Sequence, residues 1–200
     1  MQAAGLGLGR RLKTASDPRN ILADGAFLTA GGAHGTASSG TIGAGWISSR
    51  SIGSGATVTT SIDTSDAAEL PVQVQSVSGA AAGDHVTLVL NTTLSALGIT
   101  APGEYWLNCE LAFANTANLR AFWMRARLAM SPNHDSEAFT EDTTASAAIT
   151  PPDGVYQVAL ISVPAGAAGS TQVNIQFWRK YLAAGAGDLK VRAVSVMEAA

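Results

Sequence analysis

The sequence predicts an all-β protein: an antiparallel β-sandwich of jelly-roll type, preceded by an extended N-terminal arm. Three observations lead there. Long stretches alternate apolar and polar residues with period 2, as strands do when successive side chains point to opposite faces. Gly-rich turn signals separate these stretches, and the chain holds 21 Gly in 200 residues. No stretch sustains a helical period, and about nine or ten short strands with turns between them read as a sandwich.

The clearest alternation lies at the centre of the chain. In Glu104 to Phe113, Tyr105, Leu107, Cys109, Leu111 and Phe113 share one parity, and Trp106, Asn108, Glu110 and Ala112 the other. After the polar stretch Ala114 to Asn118 the alternation resumes. Phe122, Met124, Ala126, Leu128 and Met130 share one face, and Ala121, Trp123, Arg125, Arg127 and Ala129 the other. Two such runs around a short polar connection predict an antiparallel hairpin.

From the start, Met1 to Arg19 is Gly-rich and basic without a period, which predicts an extended arm over residues 1–19 and a sandwich domain over 20–200. The run Gly5 to Gly9 lacks the Gly-Lys-Ser/Thr ending of a phosphate loop. Ile21-Leu22 and Phe27-Leu28 flank an Asp-Gly turn signal. Gly31 to Gly45 reads as a loop, and Trp46 as a core residue. Ala56 to Ile62 and Leu70 to Val77 read as strands with Thr and Gln on one face, Pro71 suiting a strand start. Asp84 to Leu90 is a strand with Val86, Leu88 and Leu90 inward. A short helical turn is expected around Leu94 and Leu97, and a long polar loop over Ser131 to Pro152. Gly154 to Val163 carries apolar residues on both faces, so burial on both sides is expected. Thr171 to Trp178 and Leu189 to Met197 are the last two strands, the latter shifted in phase by a bulge.

Composition narrows the function. Hydrophobic residues make up 46% of the chain and charged residues 14%, enough for a sizeable core and a lightly charged surface. A net charge of -3 gives no basic field for nucleic acid. Cys109 is the single cysteine, so no intrachain disulfide forms, and its parity makes it a buried hydrophobe rather than a nucleophile. No apolar run approaches the ~20 residues of a membrane span. The N-terminal charges follow the small Gly/Leu run, the reverse of a signal peptide, so synthesis in the cytoplasm is expected.

Trp106, Trp123 and Trp178 all fall on the polar parity of their strands. Arg125, Arg127, Asn174 and Gln176 share it. Rings on a sheet face stack on sugars or bury against another subunit, and the amides and guanidinium groups suit hydroxyl partners. Both readings stand at this point. His34, His85 and His134 are far apart and fit no metal spacing. No Gly-x-Ser-x-Gly elbow is present, and no catalytic residue is assigned. Asp135, Glu137, Glu141 and Asp142 could bind calcium but miss the EF-hand pattern, so a solvated loop is expected there and no metal or other cofactor is indicated.

One further likeness is carried by Asn20-Ile21-Leu22-x-Asp24-Gly25-x-Phe27, by Trp46 past a Gly-rich loop, by Pro102-Gly103-Glu104-Tyr105, and by the closing Val191-Arg192-Ala193-Val194-Ser195-Val196. This layout resembles the carbohydrate-binding-module-like jelly rolls of tailed-phage or gene-transfer-particle virion proteins and of secreted polysaccharide-degrading enzymes. It departs at Ala26, where a polar residue is usual, and it lacks the acidic cluster that holds structural calcium in many of these modules. The resemblance implies a jelly-roll fold and a habit of binding glycans. The basic arm, with Arg10, Arg11, Lys13 and Arg19, looks like a virion-docking peptide. The expectation is therefore a non-enzymatic virion structural protein: a head decoration, spike or tail-fibre subunit, self-associated with a trimer favoured, contacting other virion proteins and, where it serves host attachment, a host-surface polysaccharide. The alternative is a carbohydrate-binding module, free-standing or attached to an enzyme.

Overall fold

The computed structural model describes residues 39–43, 46–50, 55–63, 72–130, 134–135, 140–142, 149 and 151–199. They form ten strands: β1 (Ser39–Gly43), β2 (Trp46–Arg50), β3 (Thr57–Asp63), β4 (Val72–Ala80), β5 (His85–Thr93), β6 (Gly103–Leu128), β7 (His134–Asp135), β8 (Thr140–Asp142), β9 (Gly154–Val163) and β10 (Gln172–Glu198). Every pairing is antiparallel, and the described residues contain no helix.

Two strands of unusual length, β6 with 26 residues and β10 with 27, run side by side. Their register extends from Val173 opposite Leu128 to Glu198 opposite Tyr105. Both change character midway. The first part of β10 pairs with β5 and the last part with β4. The first part of β6 pairs with β9, and its last part with β7 and β8. One ten-stranded sheet thereby folds over itself into two layers. The first layer runs β1-β2-β5-β10-β6 and ends on β7 and β8. The second runs β3-β4-β10-β6-β9. Strands that pass from one layer to the other at a corner are a known way to close a sandwich.

The local chemistry of the corner explains the bend. Asn115 and Asn118 adopt left-handed backbone angles, φ 53° and 57°, a region asparagine tolerates better than branched residues. Their amides hold the opposite strand: Asn115 Nδ2 donates to Asp188 Oδ2 at 3.0 Å and Asn118 Nδ2 to the Ala184 carbonyl at 2.7 Å. Gly185 packs on the Tyr181 ring, where a Cβ would meet Cδ1 at 2.3 Å and the Ala117 carbonyl oxygen at 2.9 Å. The register slips between Lys180 and Asp188, so β10 carries one residue more than β6 through the corner.

The expected sandwich is present, but the central hairpin is not. Glu104–Phe113 and Leu119–Met130 do not pair with each other; they are two halves of one strand, each paired to β10. The two separate strands expected near the C-terminus are likewise one. A period-2 pattern with a polar interruption is common to a hairpin and a corner, and pairing partners are not written in parity. Gly31–Gly45 was expected as a loop, yet Ser39–Gly43 pairs with β2. The expected polar loop contributes β7 and β8. Nor is β9 buried on both sides: it lies along β6, and Val155 is 47% exposed. The bulge expected near Val191 falls between Val191 and Ala193.

The core lies between the layers. Leu107, Cys109 and Leu111 from the first half of β6 join Phe122, Met124, Ala126 and Leu128 from the second, with Val173, Ile175, Phe177, Leu189, Val191 and Val194 of β10 and Trp46 of β2. Phe122 meets Phe113 edge-on at 4.9 Å and Tyr156 at 6.1 Å, contacts that bridge the layers. A polar group is enclosed with them. Arg179, 1% exposed, donates through Nη1 to the Gly187 carbonyl at 2.9 Å and through Nη2 to Gln75 Oε1 at 2.6 Å and the Gln75 carbonyl at 3.2 Å. Gln75 Nε2 in turn donates to Ser48 Oγ at 2.5 Å and the Thr87 carbonyl at 3.2 Å. β4, from the second layer, is thus tied to β2 and β5 in the first.

Candidate functional site

The outward face of the first layer collects the polar parity of three neighbouring strands. Along β10, Val173, Ile175, Phe177 and Arg179 turn into the core, so Asn174, Gln176, Trp178 and Lys180 turn outward. In register, β6 sets Arg127, Arg125, Trp123 and Ala121 beside them, and β5 sets Asn91, Val89, Thr87 and His85 on the other flank. Ile47 of β2 continues the Gln176–Val89 row. Directly paired side chains lie about 4.5–5.5 Å apart at Cβ, close enough for rings and long chains to touch.

The rings do touch. Trp123 and Trp178 are direct cross-strand partners with centroids 5.3 Å apart and planes 16° from parallel. His85 reaches Trp178 diagonally, at 5.4 Å and 24°. Two indoles lying flat and side by side cannot bring their centroids so close, so the rings lean on one another as an offset stack. Each presents an edge and part of one face rather than a flat floor. Beside this row, Gln176 Oε1 accepts from Arg125 Nε at 2.6 Å and from the Trp178 indole N–H at 3.4 Å. One row further, Asn174 Nδ2 donates to Asn91 Oδ1. Trp123, Trp178, Arg125, Arg127, Asn174 and Gln176 are all half-buried. A fixed aromatic step next to preset amide and guanidinium donors can seat the apolar face of a ligand and hydrogen-bond its rim.

Six of the seven expected contact residues therefore share one face: Trp123, Arg125, Arg127, Asn174, Gln176 and Trp178. Trp106 does not join them. It lies on the outer face of the second layer, between Met197 and Leu160 in register. The reason is the corner: parity reverses between Phe113 and Phe122, and the two halves of β6 face opposite sides of the sandwich. On that second face Asn108 and Ser195 are register partners, both buried, and Asn108 Nδ2 and Ser195 Oγ have no hydrogen bond among the described residues. Arg10, Arg11, Lys13 and Arg19 lie outside the described residues. Sequence reasoning weighed His85 only as a metal or catalytic group and omitted Asn91 and Lys180. The signal was present, since Val86, Leu88 and Leu90 inward forces His85, Val89 and Asn91 outward.

The single cysteine does not lie on this face. Cys109 is fully enclosed between the layers, and burial pushes its thiol pKa far up from the ordinary 9.0. Among the described residues no three His, Cys, Asp or Glu side chains come together as a metal-holding group. Of the acidic stretch, Asp135, Glu141 and Asp142 stand in register opposite Arg127, Phe122 and Ala121; Glu137 lies outside the described residues.

No protein-family model matches the chain, and no curated protein matches it. Among solved structures it is similar to a carbohydrate-binding module of the β-sandwich superfamily described for promiscuous specificity, with 15% identity and a TM-score of 0.54 over 80% of this chain and 59% of that one. The chain thus spans somewhat over half the length of that neighbour. Weaker likenesses are the family 11 carbohydrate-binding module of the cellulosomal cellulase Lic26A-Cel5E of Clostridium thermocellum (17% identity, TM-score 0.43, 86% of this chain, 96% of that one) and the enzymatically active domain of a bacteriophage CBA120 tailspike protein (14%, 0.48, 78% and 19%). At such identities the first similarity shows the β-sandwich fold.

Proposed function

We propose that the protein binds polysaccharide through the outer face of its first layer and has no catalytic role, serving as a structural subunit of a virus-like particle that attaches to a host glycan. The observation that carries the binding reading is the stack of His85, Trp178 and Trp123 beside the Arg125–Gln176 pair. Ring faces and preset donors are what a pyranose needs, one apolar face and a rim of hydroxyls. The fold it shares with a carbohydrate-binding module supports the same reading. The particle reading rests on the sequence: the basic Gly-rich arm and the Asn20 to Phe27 phrase. It includes self-association as a trimer, contact with other virion proteins and a location in the virion.

Trp123→Ala and Trp178→Ala test the binding role. Each removes a ring whose full burial is worth roughly 2–3 kcal/mol. The expected outcome in affinity electrophoresis through polysaccharide gels is loss of most retardation, with the oligomer intact by light scattering. Dissociation of the oligomer with retardation unchanged would show that the rings form a subunit interface instead. Trp106→Ala, on the other face, is expected to leave retardation unchanged.

A further inference from the structure

Resting on that reading of the face, we propose that its ligand is a polysaccharide whose sugars carry carboxylates, an extended β-1,4-linked uronate polymer, with Arg125 selecting the acid over a neutral chain. The cations are grouped more tightly than the composition requires. The chain as a whole carries -3, yet Arg125, Arg127 and Lys180 stand on this one face, with His85 among the rings.

Arg125 is held ready. Its Nε is engaged by Gln176 Oε1, the oxygen that also receives the Trp178 indole N–H, so one amide fixes the guanidinium relative to the ring. Neither terminal Nη group has a partner among the described residues. A planar fork with two free ends matches a carboxylate through two parallel bonds, a geometry that a hydroxyl does not reproduce. On the opposite side of the ring row, Lys180 Nζ also makes no bond among the described residues.

The arrangement has a direction. The ring row crosses the strands, which are spaced about 4.8 Å apart, a distance close to the advance of one sugar in an extended chain. Beside Trp123 the cation is Arg125, on one side of the row; beside Trp178 it is Lys180, on the other. In a β-1,4-linked chain successive rings turn over, so their carboxylates project alternately to the two sides. A uronate chain on the ring row meets Arg125 at one sugar and Lys180 at the next. Of the described acids at the rim, Asp135 stands in register opposite Arg127, and Asp142 in the Lys180 row beyond Ala121. Among the described residues none stands in the Arg125 row.

The test is calorimetric titration of the full chain with β-1,4-linked oligomannuronate and with the same oligomer after carboxyl reduction, at low and high salt. The acid form is expected to bind roughly tenfold tighter or more at low salt, by one charge-assisted paired contact. That advantage should shrink as salt rises, while the reduced form stays insensitive. Arg125→Gln should bring the two affinities together, and Trp123→Ala should weaken both alike. Equal affinity of the wild-type protein for the two oligomers, or a preference surviving in Arg125→Gln, would overturn the inference while leaving glycan binding in place. Binding of neither oligomer, or of any neutral glycan, would remove the parent reading and this one with it.

Discussion

Arg179 sets a guanidinium between the two layers, where it donates to carbonyl and amide oxygens rather than to a carboxylate among the described residues. Among the described residues its Nε has no partner, and neither has the buried Tyr181 hydroxyl. Truncating it leaves a cavity and strands the Gln75 and Gly187 acceptors, so Arg179→Ala is expected to cost roughly 2–4 kcal/mol in urea denaturation. Arg179→Met fills the space without the charge and is expected to cost less than half of that. Cys109 gives a second prediction. Its thiol pKa is raised in the folded state, so the neutral form is favoured there. The unfolded chain deprotonates first as pH rises past about 9, and the stability present below that pH is then lost at up to ~1.4 kcal/mol per pH unit. The pH dependence above 9 is expected to be shallower in Cys109→Ala. A thiol reagent should leave the native protein unlabelled and label it at the rate of unfolding.

At the scale of elements, β6 and β10 decide the architecture, and their corner is where a single atom matters most. A Cβ at Gly185 collides with the Tyr181 ring and with backbone at Ala117. Gly185→Ala is expected to destabilise by about 1–3 kcal/mol, read as a shift in the denaturation midpoint, whereas Ala184→Gly should cost only a few tenths. The corner also marks the limit of what the sequence made legible. Which residues face inward was readable within each half of β6, in β5 and in β10, because parity is local. Trp46, Cys109 and the bulge after Val191 were readable on the same ground. That Glu104–Phe113 and Leu119–Met130 belong to different layers was not, because Asn115 and Asn118 signal a left-handed backbone without saying whether the chain returns beside itself or crosses over. The same gap put Trp106 with Trp123 and Trp178. The grouping of those two with Arg125, Arg127, Asn174 and Gln176 needed only that the second half of β6 lie beside β10.

For the molecule as a whole, the proposed assembly makes the arm and the oligomer separable. Removal of residues 1–19 is expected to leave the melting temperature of the sandwich within a few degrees, and to abolish its attachment to a larger particle in a sedimentation assay. Light scattering of the full chain at micromolar concentration is expected to give a trimer mass. A stable monomer in the presence of docked arm would end the trimer proposal, and decoration of particles by the truncated chain would end the docking one.

The long pairing between β6 and β10 has a mechanical meaning. β10 ends the described chain and lies inside both layers, flanked by β6 along nearly its whole length and by β5 or β4 on the other edge. A pull on the C-terminus acts along the strand axis, so the ladders on both edges of β10 resist it together in shear instead of opening one bond at a time like a zipper. The corner adds a latch, because β10 cannot slide along β6 without breaking the Asn115–Asp188 and Asn118–Ala184 hydrogen bonds. In single-molecule stretching from the C-terminus, the sandwich is expected to hold until one abrupt rupture, with Gly185→Ala lowering the rupture force.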